Sequence, residues 1–336
     1  MCYKLLRQLL FCLPPETAHH VTLKGLDYLD RTGLLARLYP PVISPITIAG
    51  LSFQNRVGLA AGLDKNGEHI TALGHLGFGF LEVGTTTPLP QAGNPRPRLF
   101  RLPQEQALIN RMGFNNQGID ALIEHVKQAQ YSGPLGINLG KNASTPIENA
   151  LSDYLIGLEK AYPYADYITI NISSPNTANL RSLHYGKGLI DLLTGLKAKQ
   201  AELTLQTQKK VPLFMKIAPD LTPEEALPLA ETLLRFNIEG LIVSNTTLSR
   251  DGVTSTETGG LSGGPLFKKS TALLALMHKA LHGKIPLIAA GGIMSPAQAC
   301  AKIEAGASLV QIYTGLIYQG PSLIRAIARA LAPYKQ

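Results

Sequence analysis

The stretch 167–177 reads YITINISSPNT. Its first half alternates β-branched and polar residues as a strand does, and its second half gathers Asn171, Ser173, Ser174, Asn176 and Thr177 around Pro175. Each of these polar groups, once buried, needs a partner. A turn rich in Asn and Ser would use the same residues without any ligand. The alternative is a small molecule carrying carbonyls, N–H groups and a carboxylate, because Asn171 and Asn176 can each donate and accept. Recurrence of the pattern along the chain favours the ligand.

Lys216 lies inside an apolar run, between Met215 and Ile217. A buried lysine is costly unless an anion or a chemical role accompanies it. It could form a Schiff base or hold negative charge on a flavin ring. Lys65, next to Asp64, suits a substrate carboxylate. With Asn110, Asn138, Asn171, Asn176 and Asn245, the lysines make a set rich in amides and poor in acids. That set suits a flat heterocycle with imide-like edges better than a sugar.

The elements that must position these groups repeat one rhythm from about residue 55 onward: a β-branched run, a polar or glycine-rich loop, then a helical stretch. Strands are expected at 57–62, 80–86, 134–139, 167–172, 211–218, 240–245, 285–290 and 309–314, with helices such as 146–162, 223–236, 295–305 and 321–332. Pro146, Pro223, Pro296 and Pro321 each suit a first helical turn. Eight alternating units predict an α/β chain closed as a (β/α)8 TIM barrel. An open doubly wound sheet would need a single glycine fingerprint after its first strand, which is missing.

Barrels build their sites at the C-terminal ends of the strands. Here those ends read AAGLDKNG, GTTTP, NLGKN, NISSPN, KIAPD, SNTT, AAGGI and YTG, all polar or glycine-rich. Gly291–Gly292 and Thr314–Gly315 follow the last two strands, where barrels commonly bind a phosphate through backbone N–H groups. The run 259–264 (GGLSGG) is expected to add flexible backbone nearby. Two segments break the rhythm. Residues 87–110 form an excursion containing RPRLFRLP, and residues 1–40 read as two short helices broken at Pro14–Pro15, with Leu5, Leu6, Leu9, Leu10 and Leu13 on one face of the first.

The formal charge of +8 is spread along 336 residues without a long like-charge run, so a nucleic-acid tail is not indicated. Cys2, Cys12 and Cys300 show no CxxC spacing and read as reduced thiols. The histidines show no metal spacing, so no metal site is expected. Lys4 and Arg7 interrupt the first apolar run and no small-residue cleavage site follows it, which argues against export.

In order along nearly the whole chain, AAGLDKNG, INRMGFNN, GINLGKN, NISSPNT, KIAPDL, SNTT, GGLSG and GASLVQIYTGLIYQGP resemble the signature segments of dihydroorotate dehydrogenase. Serine in NISSPNT, the N-terminal helical pair and the insertion after the second strand are similar to class 2 of that family, which is FMN-dependent, membrane-associated and quinone-reducing. The resemblance implies oxidation of (S)-dihydroorotate to orotate in pyrimidine (UMP) biosynthesis, with Ser174 as base. It implies FMN contacts from Ala61, Gly62, Lys65, Thr85, Asn138, Asn171, Lys216 and Ser244, and a phosphate cradle of Gly263, Gly292, Tyr313 and Thr314. Substrate contacts would come from Lys65, Asn110, Arg111, Met112, Gly113, Phe114, Asn171, Asn176, Asn245 and Thr246.

Two positions depart from the pattern: Ser244 where relatives often carry threonine, and Gly264 where a basic residue is common. The same resemblance implies a monomer held peripherally on the cytoplasmic side of the cell membrane. Residues 1–40 would then form the membrane and quinone-entry segment, and 41–336 the catalytic barrel. His19 and Arg101 are candidates for contacts to the quinone head, whereas a plain structural role for the pair would be to plug the barrel bottom. Rival readings are an aldolase or isomerase barrel using Lys216, a tRNA-reducing flavin barrel, disfavoured by the lack of a basic C-terminal extension, and a membrane-binding module.

Overall fold

The computed structural model describes residues 2–177 and 179–334. Met1, Ala178, Lys335 and Gln336 lie outside the described residues, as does the Cys2 side chain and with it one of the three expected thiols. The chain opens with α1 (Cys2–Phe11), α2 (Pro15–Arg31) and α3 (Leu34–Leu38). The break after α1 falls at Pro14–Pro15, where Pro15 takes a first-turn position whose N–H has no helical partner anyway. A tight hairpin follows, β1 (Ile46–Ile48) and β2 (Leu51–Phe53). Ala49 and Gly50 both have positive φ at its turn, the geometry that matches strand twist.

Repeating units then run through β3 (Val57–Leu59), α4 (Ile70–Gly74), β4 (Phe80–Thr86), β5 (Leu99–Leu102), β6 (Ala107–Asn110), α5 (Ile119–Gln128), β7 (Leu135–Leu139) and α6 (Ala150–Ala161). They continue through β8 (Tyr167–Asn171), α7 (Gly186–Thr207), β9 (Leu213–Ile217), α8 (Pro223–Arg235), β10 (Gly240–Val243), β11 (Gly260–Gly263), α9 (Phe267–Ala280) and β12 (Leu287–Ala290). The last elements are α10 (Pro296–Glu304), β13 (Leu309–Ile312), α11 (Thr314–Gln319) and α12 (Ser322–Leu331).

Strands β3, β4, β7, β8, β9, β10, β12 and β13 pair in parallel and close on themselves as the expected eight-stranded barrel. Every residue in these strands is buried, which is why they read as apolar runs rather than alternating ones. At the barrel bottom the rings of Phe80, Tyr167 and Phe214 stack toward one another, capped by Phe53 of the hairpin at 5.2 Å from Phe80. Room for the rings comes from glycine. A Cβ on Gly58, Gly136 or Gly240 would sit within 2.5 Å of the Phe80, Tyr167 or Phe214 ring.

Thr222 and Pro223 open α8 with a reciprocal capping box, and the Ser295 side chain accepts from the Gln298 N–H to open α10. Elsewhere the boundaries moved. The helix expected at 146 starts as a 3-10 turn at Ile147–Asn149, Pro321 caps α12 rather than entering it, and α11 was not foreseen. Strands β3, β10 and β13 stop two or three residues short of the expected ends, because those residues turn away as site loops.

The excursion and the glycine run combine: β5, β6 and β11 form a three-stranded antiparallel sheet over the barrel mouth. The glycines there serve close approach rather than flexibility, correcting the expectation for 259–264. A Cβ on Gly260 would lie 1.9 Å from Thr246 Oγ1, and one on Gly259 would lie 2.3 Å from the Asn110 carbonyl oxygen.

The hairpin, not the helical pair, closes the bottom. The pair sits at the mouth. Tyr3 Oη donates to the Ile317 carbonyl at 2.7 Å and Arg7 to the Tyr318 carbonyl at 2.6 Å, both on or beside α11. Glu16 of α2 receives two bonds from Arg98 at 3.0 and 3.1 Å.

Candidate active site

A cavity of about 420 Å³ opens at the C-terminal end of the barrel, within the ordinary range for small-molecule sites. Its wall carries Ala61, Gly62, Lys65 and Thr85 from the first two strand ends, Asn110 from the end of β6, and Met112, Gly113 and Phe114 from the loop after it. Asn171, Ser174 and Asn176 come from the β8 end, Lys216 from β9, and Ser244, Asn245 and Thr246 from the β10 end. Gly263, Gly292, Tyr313 and Thr314 complete it. Two expected residues stand apart. Arg111 turns outward, donating to Glu257 at 2.7 Å with its guanidinium 4.4 Å from the Phe100 ring centroid. Asn138 is fully buried beneath the floor, where neighbouring side chains engage its amide.

That floor is a connected polar network. Asn138 Nδ2 donates to Glu82 at 2.7 Å, while its Oδ1 accepts from Thr85 Oγ1 at 2.6 Å and from Asn171 Nδ2 at 3.2 Å. Asn171 Oδ1 accepts from Ser173 Oγ at 2.9 Å, and Ser173 Oγ accepts from Asn245 Nδ2 at 3.0 Å. Ser173 is thereby committed on both sides and fully buried. Ser174 instead borders the cavity, and its Oγ accepts from the Asn176 backbone N–H at 3.2 Å. Of the two adjacent serines, Ser174 is the one that faces the cavity, and its O–H is unspent among the described residues.

Lys216 is 5 % exposed and makes no hydrogen bond or ion pair within its own fold among the described residues. Burial holds its ammonium below the usual lysine range, partly opposed by the Glu82 carboxylate. Lys65 is pulled down to about 8, first by burial and then by the Arg98 cation. Both lysines thus favour an anion in the cavity. Gln311 Nε2 is spent on Glu82 at 2.8 Å, and its buried Oε1 has no partner among the described residues.

The glycine loops fit an anion cradle. A Cβ on Gly292 would lie 2.3 Å from Phe267 Cα, and Gly263, at φ 95°, would place one 3.0 Å from Thr314 Cγ2. No side chain can enter there, so backbone and small hydroxyls remain, including Ser262 Oγ and Thr314 Oγ1 at 2.8 Å from each other. Ser244 also borders the cavity, its hydroxyl donating to the Asn245 carbonyl, whereas Gly264 lies outside the wall.

The opposite end of the cavity is built by α2, through Glu16, His19, His20 and Leu23. Burial, with the Lys65 cation next, drives the His19 imidazole down to about 3, so it is neutral at ordinary pH. Arg101 does not border the cavity. It donates to the Leu10 and Leu13 carbonyls and lies 4.6 Å from the Phe11 ring centroid, pinning the α1–α2 corner.

Two groups escaped the sequence reading. Glu82, acidic in the apolar run FLEVG, carries the same signal that drew attention to Lys216 in FMKIA. Arg181 joins the β8 and β10 loops by donating to the Ser173 carbonyl, the Thr246 carbonyl and Asp220, and nothing in its sequence neighbourhood marks it.

The family model for dihydroorotate dehydrogenase matches residues 44–334. The chain belongs to the dihydroorotate dehydrogenase family. A dihydroorotate dehydrogenase (quinone) of Acinetobacter baumannii (strain ATCC 17978) is 57 % identical over 335 residues, covering 98 % of this chain and all of that one. One from Dechloromonas aromatica (strain RCB) is 54 % identical over 340 residues, covering 99 % and 98 %. Among solved structures, DHODH from Eimeria tenella in complex with ferulenol superposes with a TM-score of 0.84 at 38 % identity, over 94 % of this chain and 90 % of that one. A dihydroorotate dehydrogenase barrel with end-to-end relatives of the quinone class accounts for both the closed eight-stranded sheet and the helical pair at its mouth.

Among the described residues no group of side chains could hold a metal ion, and no helix is long and apolar enough to cross a membrane.

Proposed function

We infer that the protein oxidises dihydroorotate to orotate, with FMN as hydride acceptor and a quinone as final electron acceptor, a step of pyrimidine biosynthesis. The observation that carries this is one cavity with a Ser174 hydroxyl and two lysines that are unpaired among the described residues, and a glycine cradle, in a chain with full-length relatives of that name. FMN fits the residues present. Gly263, Gly292, Tyr313 and Thr314 would hold its phosphate, and Ala61, Gly62, Thr85, Asn171, Lys216 and Ser244 its ring and ribityl chain. When bound, FMN supplies the acceptor for the C6 hydride and the route for electrons to the quinone.

The chain's own residues do the rest. Ser174 Oγ takes the C5 proton as it passes its own proton on to water, and the Asn176 N–H it already accepts stabilises the partial negative charge on Oγ as that proton leaves. The Lys65 ammonium binds the substrate carboxylate. Asn110, Asn176, Asn245 and Thr246 hold the imide edges, and Met112, Gly113 and Phe114 cover the ring and exclude water. Asn176 Nδ2 already donates to the Asn110 carbonyl at 3.1 Å, which ties the two walls together. Lys216 sets positive charge beneath the flavin site, and family membership removes the Schiff-base and tRNA-reducing alternatives.

We further propose that residues 1–40 form the membrane and quinone-entry segment, residues 41–336 the catalytic barrel, and that the protein acts as a monomer on the cytoplasmic face of the membrane. Leu5, Leu6, Leu9 and Leu13 are exposed on α1 and the turn after it, and Val21, Tyr28 and Leu29 on α2, which supports an interfacial face. Purified protein should be yellow and should release FMN on denaturation. Anaerobic dihydroorotate should bleach it and a quinone should restore the colour. A colourless protein would overturn the inference.

A further inference from the structure

Resting on the FMN and dihydroorotate reading of the cavity, we propose that Glu82 is a positioning residue. It fixes which way the Asn138 amide faces, and so which atom lies beneath the Asn171 amide that borders the ligands. Glu82 is fully buried on β4 and has no place on the cavity wall. Its two oxygens accept from Asn138 at 2.7 Å, Tyr167 at 3.1 Å, Thr169 at 3.2 Å and Gln311 at 2.8 Å, so it meets four donors and gives none.

A carboxylate can only accept, whereas an asparagine side chain can face either way. Asn138 must therefore turn Nδ2 toward Glu82 and Oδ1 toward Thr85 and Asn171. Asn171 offers Nδ2 to Asn138, and its Oδ1 accepts from both the backbone N–H and the hydroxyl of Ser173. Ser173 spends its proton on Asn171, which leaves its oxygen to accept from Asn245 Nδ2. Asn245 Oδ1 in turn takes the Thr246 N–H at 2.7 Å. Every bond from Asn245 to Glu82 runs one way across β10, β8, β7 and β4: the Ser173 and Thr246 backbone N–H groups, which can only donate, pin Asn171 and Asn245, and Glu82, which can only accept, pins Asn138. The Lys216 cation favours that end as an acceptor.

A glutamine at 82 keeps the shape, but its one oxygen is claimed by Tyr167, Thr169 and Gln311, which leaves its NH2 facing Asn138 and turns that amide so that its Nδ2 meets Asn171 Nδ2, donor against donor. The test is orotate binding to the FMN-loaded protein, read from the flavin absorbance change. Glu82→Gln should weaken orotate about tenfold, the size of one misdirected hydrogen bond. Asn138→Ala cuts the same link while leaving Glu82 three donors, and should weaken orotate to a similar extent. It decides the matter if Glu82→Gln does not fold. Tyr167→Phe also removes a Glu82 contact but lies outside the chain, and should leave orotate affinity unchanged.

Ser173→Ala should cost less in the Glu82→Gln background than alone, since a shared chain makes the two non-additive. Wild-type affinity in both Glu82→Gln and Asn138→Ala, or an equal loss in Tyr167→Phe, would overturn the proposal. A wild-type protein without FMN would instead refute the reading of the cavity.

Discussion

Adjacent serines at 173 and 174 have opposite fates, and the difference is one of hydrogen-bond capacity. Ser173 is saturated by Asn171 and Asn245, whereas Ser174 keeps its proton free at the cavity. Ser174→Ala should leave FMN in place and slow its reduction by dihydroorotate about 100-fold, a usual general-base contribution. Near-normal reduction in stopped flow would remove Ser174 from that role. Lys65 adds a pH dependence. Its ammonium titrates at about 8 in the free protein, so the charge that binds the substrate carboxylate is present below that pH and lost above it. The ratio kcat/KM for dihydroorotate, which reports the free enzyme, should therefore fall above about pH 8. Lys65→Met should lower that ratio and abolish the break, and a break that persists would assign it elsewhere.

At the scale of elements, α1 and α2 combine a fastened side with an open one. Tyr3, Arg7 and Glu16 bind α11 and the β5 strand's approach, while Leu9 is 70 % exposed. Nine of the eighteen exposed large hydrophobics among the described residues fall within the first 38 positions, which concentrates the apolar surface on this one feature. Removal of residues 1–40 should spare flavin reduction by dihydroorotate and abolish reoxidation by long-chain quinones. In the full chain, Leu5→Glu with Leu9→Glu should abolish binding to anionic vesicles and leave turnover with a short, water-soluble quinone unchanged. A truncated enzyme that reduces long-chain quinone at full rate would refute the entrance role.

For the whole molecule, the barrel bottom sets stability. Gly136→Ala would put a Cβ 2.1 Å from the Tyr167 ring, buried with Phe214 stacked 4.9 Å away, so the ring cannot withdraw without displacing its neighbours. It should cost about 1–3 kcal/mol or more and lower Tm. Gly25→Ala, in α2 with nothing within 4 Å of the added carbon, should instead stabilise by about 0.5–1 kcal/mol. A melt in which the two variants behave alike would show that the packed rings do not limit stability.

Periodicity alone determined the barrel, because a strand buried on both faces must be apolar throughout and a crossover helix must follow each parallel strand. The same logic exposed Lys216, and the polar strand ends pointed to the mouth as the site. What sequence could not supply was anything that depends on pairing across long separations. The sheet of β5, β6 and β11 joins segments about 150 residues apart, and a glycine run looks flexible until a neighbouring backbone is seen to need its missing Cβ. The outward turn of Arg111 was decided by Glu257, and the burial of Asn138 by Glu82, partners that only the closed barrel brings near. Local patterns encode which groups are present at the strand ends. Which of them face the cavity follows from hydrogen bonds made between strands, and those exist only in the folded chain.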